Sequence, residues 1–157
     1  MLDVGARAPE FVLNDHDGNE TSLSDLVQSG PLILYFYPAD FTPGCTKEAC
    51  NIRDIHKDIQ SVGLQVVGIS PQDEESHRRF REEHKLPFVL LSDPEKAAIK
   101  MYDVDGPFGV GVRRATFLIS QERKISDAVM ADVRIGRHDE FIRKAVILRE
   151  TAGLKSD

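Results

Sequence analysis

Residues 31–50 read PLILYFYPADFTPGCTKEAC, and the fold is legible from this stretch outward. Residues 31–38 form a continuous apolar run bounded by prolines, the pattern of a strand buried on both faces. Pro43-Gly44 interrupts the run, and residues 44–61 then carry apolar side chains at helical spacing. Three similar apolar runs, at 64–69, 88–91 and 115–119, predict further buried strands. Residues 11–13, followed by a turn over 15–19 with Asp17-Gly18 at its centre, predict a short strand near the start. Between the strands, residues 73–85 predict a charged amphipathic helix, with Glu74–Arg78 and Glu75–Arg79 at i,i+4. Asp93-Pro94 caps a short helix ending near Tyr102. A last helix is expected from about His138 to Thr151, with Phe141, Ile142, Ala145, Val146 and Leu148 on its packing face. Strands alternating with helices predict an α/β fold whose largely parallel or mixed sheet is covered on both faces.

The chain has 157 residues, the size of one domain, and residues 1–157 are expected to form a single unit. At this length roughly two-thirds of the unfolded surface can be buried, so the core needs no metal or disulfide. Apolar residues are 41% and charged residues 29%, which excludes a disordered chain. The net charge of −6 and the lack of a basic stripe argue against nucleic acid as a partner. No apolar run approaches the ~20 residues of a membrane span. The first residues lack the basic-then-apolar pattern of a secretory signal, and a cytoplasmic location is expected.

Two cysteines in a chain of this length are not a disulfide scaffold, and both lie on the helix at 44–61. With Cys45 as the zero of a helical wheel, Ala49, Ile52, His56 and Ile59 fall within about 40° of it. Cys45 thus belongs to the buried stripe, while Cys50 lies about 140° around. In an intact helix their Cα atoms are about 8 to 9 Å apart, beyond the ~7 Å that a disulfide tolerates. A bond between them requires the first turns to unwind, so the spacing favours a transient bond over a staple. Cys45 also sits where first-turn N–H groups and the helix dipole stabilise a thiolate. Full ionisation of an ordinary thiol at pH 7 gains only about thirtyfold in nucleophile, which gives a reactive cysteine but not, alone, a catalyst. By position alone, Cys45 is equally well a small apolar core residue.

Pro38-Ala39-Asp40-Phe41-Thr42-Pro43-Gly44-Cys45 has the pattern P-x-x-x-T-x-x-C between a buried strand and a helix. This resembles the active-site signature of the peroxiredoxins. The second cysteine five residues on, in Cys45-Thr46-Lys47-Glu48-Ala49-Cys50, resembles their bacterioferritin-comigratory (PrxQ) branch. Gly68-Ile69-Ser70-Pro71, Ser76-His77 with Phe80, Leu86-Pro87-Phe88 and Arg114-Ala115-Thr116-Phe117-Leu118-Ile119 extend the resemblance over nearly the whole chain.

The resemblance implies a thioredoxin-like fold of peroxiredoxin type, with a central mixed sheet, helices on both faces and an N-terminal β extension. It implies a thiol-dependent peroxidase acting on hydrogen peroxide and organic hydroperoxides. Cys45 would be the peroxidatic cysteine and become a sulfenic acid. Cys50 would resolve it as an intramolecular disulfide. Thr42 would hydrogen-bond the peroxide, Arg114 would favour the thiolate and position the peroxide oxygens, and Pro38 would shield the thiolate from water. The implied reductant is thioredoxin or a similar dithiol protein, and no metal or organic cofactor is implied. Because the resolving thiol lies in the same chain, a monomer is expected, a dimer remaining compatible.

Two segments depart from the family pattern. The loop at 105–112 is unusually glycine-rich and reads as a surface turn, and Gln121-Glu122-Arg123-Lys124 replaces an acidic, glycine-containing turn. Since strand residues alternate in facing, only one of Arg113 and Arg114 can face Cys45, and the pattern selects Arg114. His56 lies about 16 Å along the helix from Cys45, too far to be its base. His77 and His84 flank Phe80 and read as a packing face in preference to a metal pair. His16 and His138 read as surface residues, Phe41 as part of the pocket lining, and Glu48 as a first-turn carboxylate suited to the dipole. Two other functions fit the same residues. One is a thiol–disulfide oxidoreductase of this fold, which lacks the expected C-x-x-C. The other is a redox-responsive binding module read by a partner when the helix unwinds.

Overall fold

Side chains along residues 32–36 alternate between two faces of a sheet, and both faces are buried. Leu32, Leu34 and Phe36 enter one core, while Ile33 and Tyr35, with Tyr37 just beyond, enter the other. The unbroken apolar run thus reflects a strand with no solvent face. The computed structural model describes residues 1–156. Its strands are β1 (Val12–Asp15), β2 (Glu20–Ser22), β3 (Leu32–Phe36), β4 (Gln65–Ser70), β5 (Val89–Ser92), β6 (Ala115–Ile119) and β7 (Ile125–Met130). They form one seven-stranded sheet in the order β2-β1-β5-β4-β3-β6-β7. The central strands β3, β4 and β5 run parallel, and every other pairing is antiparallel.

The helices are α1 (Leu23–Leu26), α2 (Pro43–Asp54), α3 (His56–Ser61), α4 (Glu74–His84), α5 (Ala97–Met101) and α6 (Gly136–Ser156). One face of the sheet is covered by α1, α5 and the segment around Ala8 and Phe11, with Tyr102 stacked among Phe11, Phe36 and Phe117. The other face is covered by α2, α3, α4 and α6. This is a thioredoxin-like fold of peroxiredoxin type, with the β1–β2 hairpin as its N-terminal extension. Among the described residues no helix is long and apolar enough to cross a membrane.

Several expectations change in detail. The helix expected over 44–61 is broken at Ile55, whose φ of −110° and ψ of 10° leave the helical range. Ile52, Ile55 and Ile59, on both sides of the break, all reach the core. The last helix begins two residues early, at Gly136, and its Leu148 is exposed, so Ile142, Ala145 and Val146 carry its packing. His16 and His138 are buried, not superficial. His138 is held inside by hydrogen bonds described below, and the ring of His16 is turned in, with Nε2 3.3 Å from Asp17. The 105–112 loop is a surface turn, with Phe108 fully exposed at the tip of a short 3-10 turn. In the Gln121–Lys124 turn, Arg123 takes the left-handed position at φ +63°, held by Ser120 and Lys124 backbone bonds.

Gly68 sits mid-strand in β4, where a Cβ would lie 2.7 Å from the Tyr35 ring and 2.9 Å from Leu90. The glycine leaves space for the tyrosine of the neighbouring strand. Gly68→Ala is therefore expected to cost about 1–3 kcal/mol by overpacking. Urea unfolding would measure it, and an unchanged midpoint would show that the Tyr35 ring moves freely aside.

Candidate active site

The chain leaves β3 through Tyr37 and the half-buried Pro38, and enters α2 with Thr42 at the N-cap and Pro43 in the first turn. Proline suits this place because its missing N–H has no partner to lose. Thr42 does not cap the helix. Its hydroxyl turns back and donates to the Ala39 carbonyl at 2.9 Å. The first-turn amides are thus left without a side-chain acceptor, beneath an exposed threonine whose oxygen can still accept. Cys45 is the third residue of α2 and 2% exposed, packed with Tyr35, Tyr37, Ala49 and Ile52.

Arg114 ends the connection into β6 and is buried against the same point. Its Nη2 donates to Cys45 Sγ at 3.4 Å, across 69 residues of sequence. Its Nη1 donates to Glu48 Oε1 at 2.7 Å, and its Nε to the Asp132 carbonyl at 3.4 Å. The Asp132 carboxylate accepts from the Arg114 backbone N–H at 3.0 Å and from Arg113 Nε at 2.8 Å. Arg113 is otherwise half-exposed, so Arg114 is the one of the pair that lies on the thiol. Three of the five guanidinium N–H groups are engaged, and two remain for a ligand oxygen. Burial opposes the charge of Arg114, but Glu48 and Cys45 hold its pKa above the ordinary value. Gly44 makes the approach possible, since a Cβ there would lie 3.2 Å from Arg114 Nη2 and 3.1 Å from Ile135.

Glu48 does more than face a helix dipole. It lies three residues after Cys45, one turn on and near the same face, and it is 2% exposed. Burial pushes its carboxyl up to about 7, against the downward pull of Arg114. Oε2 has no hydrogen-bond partner and lies 3.7 Å from His138 Nδ1. Burial lowers the pKa of His138, from α6, below the ordinary imidazole value. Its Nε2 lies 2.8 Å from the Ala131 carbonyl, and its Nδ1 2.8 Å from the Thr116 hydroxyl. Three elements, α2, β6 and α6, thus close one buried polar cluster under Cys45.

Cys50 is half-buried on the next turns of α2, and both thiols are free. Phe41 stands directly before Thr42 at the entrance to α2. It is half-exposed, packs edge-on to Phe80, and lines a cleft with Asp73, Glu75, Ser76 and Arg79. His77 and His84 both contact aromatic rings, and His77 is wholly buried against Asp40. Glu48 lies about 60° from Cys45 on the helical wheel, outside the apolar stripe, and its burial is not foreseen by the sequence reading of a first-turn carboxylate. Asp132 and His138 left no local signal, because their partners are distant in sequence.

A dry sulfur nucleophile beside a fixed cation, with two donors spare, suits attack on an O–O bond and stabilisation of the leaving oxygen. Residues 4–128 match the AhpC/TSA family. Peroxiredoxin Bcp of Bacillus subtilis is 39% identical over 130 residues, covering 79% of this chain and 82% of its own length. The chloroplastic peroxiredoxin Q of Oryza sativa subsp. japonica is 43% identical over 118 residues, covering 74% of this chain and 54% of its own. Peroxidoxin BcpB from Mycobacterium tuberculosis shares the fold at a TM-score of 0.88 and 33% identity, covering 94% of this chain and 98% of its own. The Xanthomonas campestris bacterioferritin comigratory protein, described for its alkyl peroxide reduction activity, gives 0.80 at 28% identity, covering 88% and 90%. The chain belongs to the AhpC/TSA family and, within it, to the Bcp/PrxQ branch of the peroxiredoxins. It is a thiol peroxidase.

Proposed function

We propose that Cys45 is the peroxidatic cysteine and Cys50 its resolving partner, in a catalytic cycle contained within one chain. The Cys45 thiolate attacks the nearer oxygen of a hydroperoxide. A sulfur–oxygen bond forms, the O–O bond breaks, and the departing alkoxide or hydroxide takes up a proton to leave as alcohol or water. Charge moves from sulfur to the leaving oxygen, and fixed donors aimed there are the effect usually worth most. The spare Arg114 N–H groups and the uncapped amides of α2 are those donors. The Thr42 hydroxyl, already donating to Ala39, accepts a hydrogen bond from the peroxide O–H and aligns the O–O bond. Pro38 closes the site on the side of β3. The observation that carries this reading is the Arg114 contact on Cys45.

The sulfenic acid on Cys45 condenses with the Cys50 thiol, giving a disulfide and water. As the helical spacing forbids this bond, the first turns of α2 must unwind. The disulfide then exchanges with a dithiol protein of thioredoxin type, which leaves oxidised. Hydrogen peroxide and organic hydroperoxides are the proposed substrates, and a monomer suffices for every step.

Intact mass after one equivalent of hydrogen peroxide tests the pairing. Wild-type protein is expected to lose about 2 Da, and Cys50→Ser to gain about 16 Da and stop there. Cys45→Ser should show neither change. Equal single-turnover activity in both cysteine variants would overturn the assignment.

A further inference from the structure

We propose that the buried Asp40–His77 pair is a positioning element of the peroxidase site. It fixes the point from which residues 41–50 unwind, and so sets the partition between the folded, peroxide-reactive form and the unwound, disulfide-forming form. The proposal rests on the roles assigned above to Cys45 and Cys50.

Asp40 lies five residues before Cys45, on the loop between β3 and α2, yet its side chain is fully buried. Three donors converge on its carboxylate. The Tyr37 hydroxyl donates to Oδ1 at 2.6 Å, and Ser76 Oγ and His77 Nδ1 each donate to Oδ2 at 2.7 Å. His77 Nε2 in turn faces the Leu91 carbonyl at 3.1 Å. The imidazole thus bridges the Asp40 carboxylate and the Leu91 carbonyl. A buried polar network whose members are hydrogen-bonded holds one side-chain arrangement closely. This one ties an active-site loop to α4 and to the end of β5, neither of which bears the reacting cysteine.

The chain on either side of Asp40 differs sharply. Tyr37 before it is held by its N–H to the Ile69 carbonyl and by its hydroxyl to Asp40. Phe41 after it takes a left-handed φ of +66°, which a bulky residue adopts only under constraint. Phe41, Thr42 and Pro43 are exposed, and the next buried anchor is Cys45 itself. Residues 41–44 are thus suspended between a permanent anchor and one that must be released. Unwinding relaxes Phe41 and needs no movement of Asp40. Five residues can span up to ~17 Å, whereas the two cysteine Cα atoms have only about 2 to 3 Å to close. If the tie to α4 is lost, the freed segment begins at Pro38 instead, and the longer segment gains entropy only in the unwound form. The balance then moves toward that form.

The test separates the two chemical steps by rapid-quench mass spectrometry of His77→Asn and Ser76→Ala. The first removes the imidazole that bridges Asp40 to the Leu91 carbonyl, and the second removes a single bond and keeps the bridge. Disulfide closure is expected to accelerate about tenfold in His77→Asn, while the bimolecular step with hydrogen peroxide slows by less than about twofold, in proportion to the folded fraction lost. Ser76→Ala should move both in the same senses by less. The peroxide dose needed to drive Cys45 to the sulfinic acid should rise, because the folded sulfenic acid is the form that meets a second peroxide. Unchanged steps in both variants, or steps that slow together as in general loosening, would overturn the proposal. Cys50→Ser in the wild-type background stands as a separate control. If it fails to stop at the sulfenic acid, the roles of the cysteines fail, whatever His77 does.

Discussion

Arg114→Lys is expected to slow the reaction of reduced protein with hydrogen peroxide by about 10²–10³, without preventing disulfide closure once the sulfenic acid has formed. Complete thiolate formation at pH 7 supplies only about thirtyfold over an ordinary thiol. A fast peroxidase therefore depends on stabilising the leaving oxygen. The Arg114 guanidinium is held as a fork, with Nη1 on Glu48, Nε on the Asp132 carbonyl and Nη2 on Cys45. Lysine carries the charge but offers a single nitrogen on a flexible stem. It can pair with Glu48 or with the sulfur, and leaves no aligned N–H groups for the peroxide. Stopped-flow measurement of the bimolecular step checks this. A rate within about threefold of wild type would show that charge alone suffices, and the orientation argument would fall.

The second large effect is on stability. The Glu48 carboxyl is pushed up to about 7 from an ordinary 4.5, chiefly by burial, with Arg114 pulling the other way. Between these values the folded protein keeps a proton that the unfolded chain has lost. Stability from this group is therefore full below about pH 4.5 and declines as pH rises toward 7, by up to about 3 kcal/mol. Glu48→Gln keeps the shape and a hydrogen-bond acceptor for Arg114 but cannot ionise. Its unfolding free energy is expected to fall less than that of wild type between pH 5 and pH 8, by most of that amount. Urea titrations at the two pH values, compared between the proteins, measure the difference. Parallel pH profiles would mean that Arg114 compensates the buried carboxylate in full.

Much of this architecture is legible in the sequence because its centre is two-sided. The runs at 31–38, 64–69, 88–91 and 115–119 are apolar throughout, since β3, β4, β5 and β6 have neighbours on both faces. The edges are not legible in that way. Strand β2 is Glu20-Thr21-Ser22, and β7 is half-buried along most of its length, so neither has a pattern that burial alone would write. The break at Ile55 is hidden for a related reason, because apolar residues on both sides of it satisfy one helical period. The site divides similarly. Cys45, Cys50, Thr42 and Pro38 stand together in one motif, while strand alternation leaves Arg113 and Arg114 as alternatives and only the resemblance to the family selects Arg114. Buried charges are harder, because local sequence favours exposure for Asp40, Glu48, His77 and His138. Each is drawn inside by a partner far along the chain, such as Ser76 for Asp40 or Thr116 for His138.

The contact between Arg114 and Cys45 depends on β6 lying antiparallel beside β3, with Phe36 opposite Ala115. During synthesis both cysteines emerge long before Arg114 does, and for that interval the nascent chain has no guanidinium to place on the sulfur. Cys45 is then an unspecialised thiol on an unfinished polypeptide, and oxidant that reaches the ribosome finds no preferred target there. The peroxidase comes into being only when the last third of the chain is laid against the first, so that its reactivity is itself a report of completed folding.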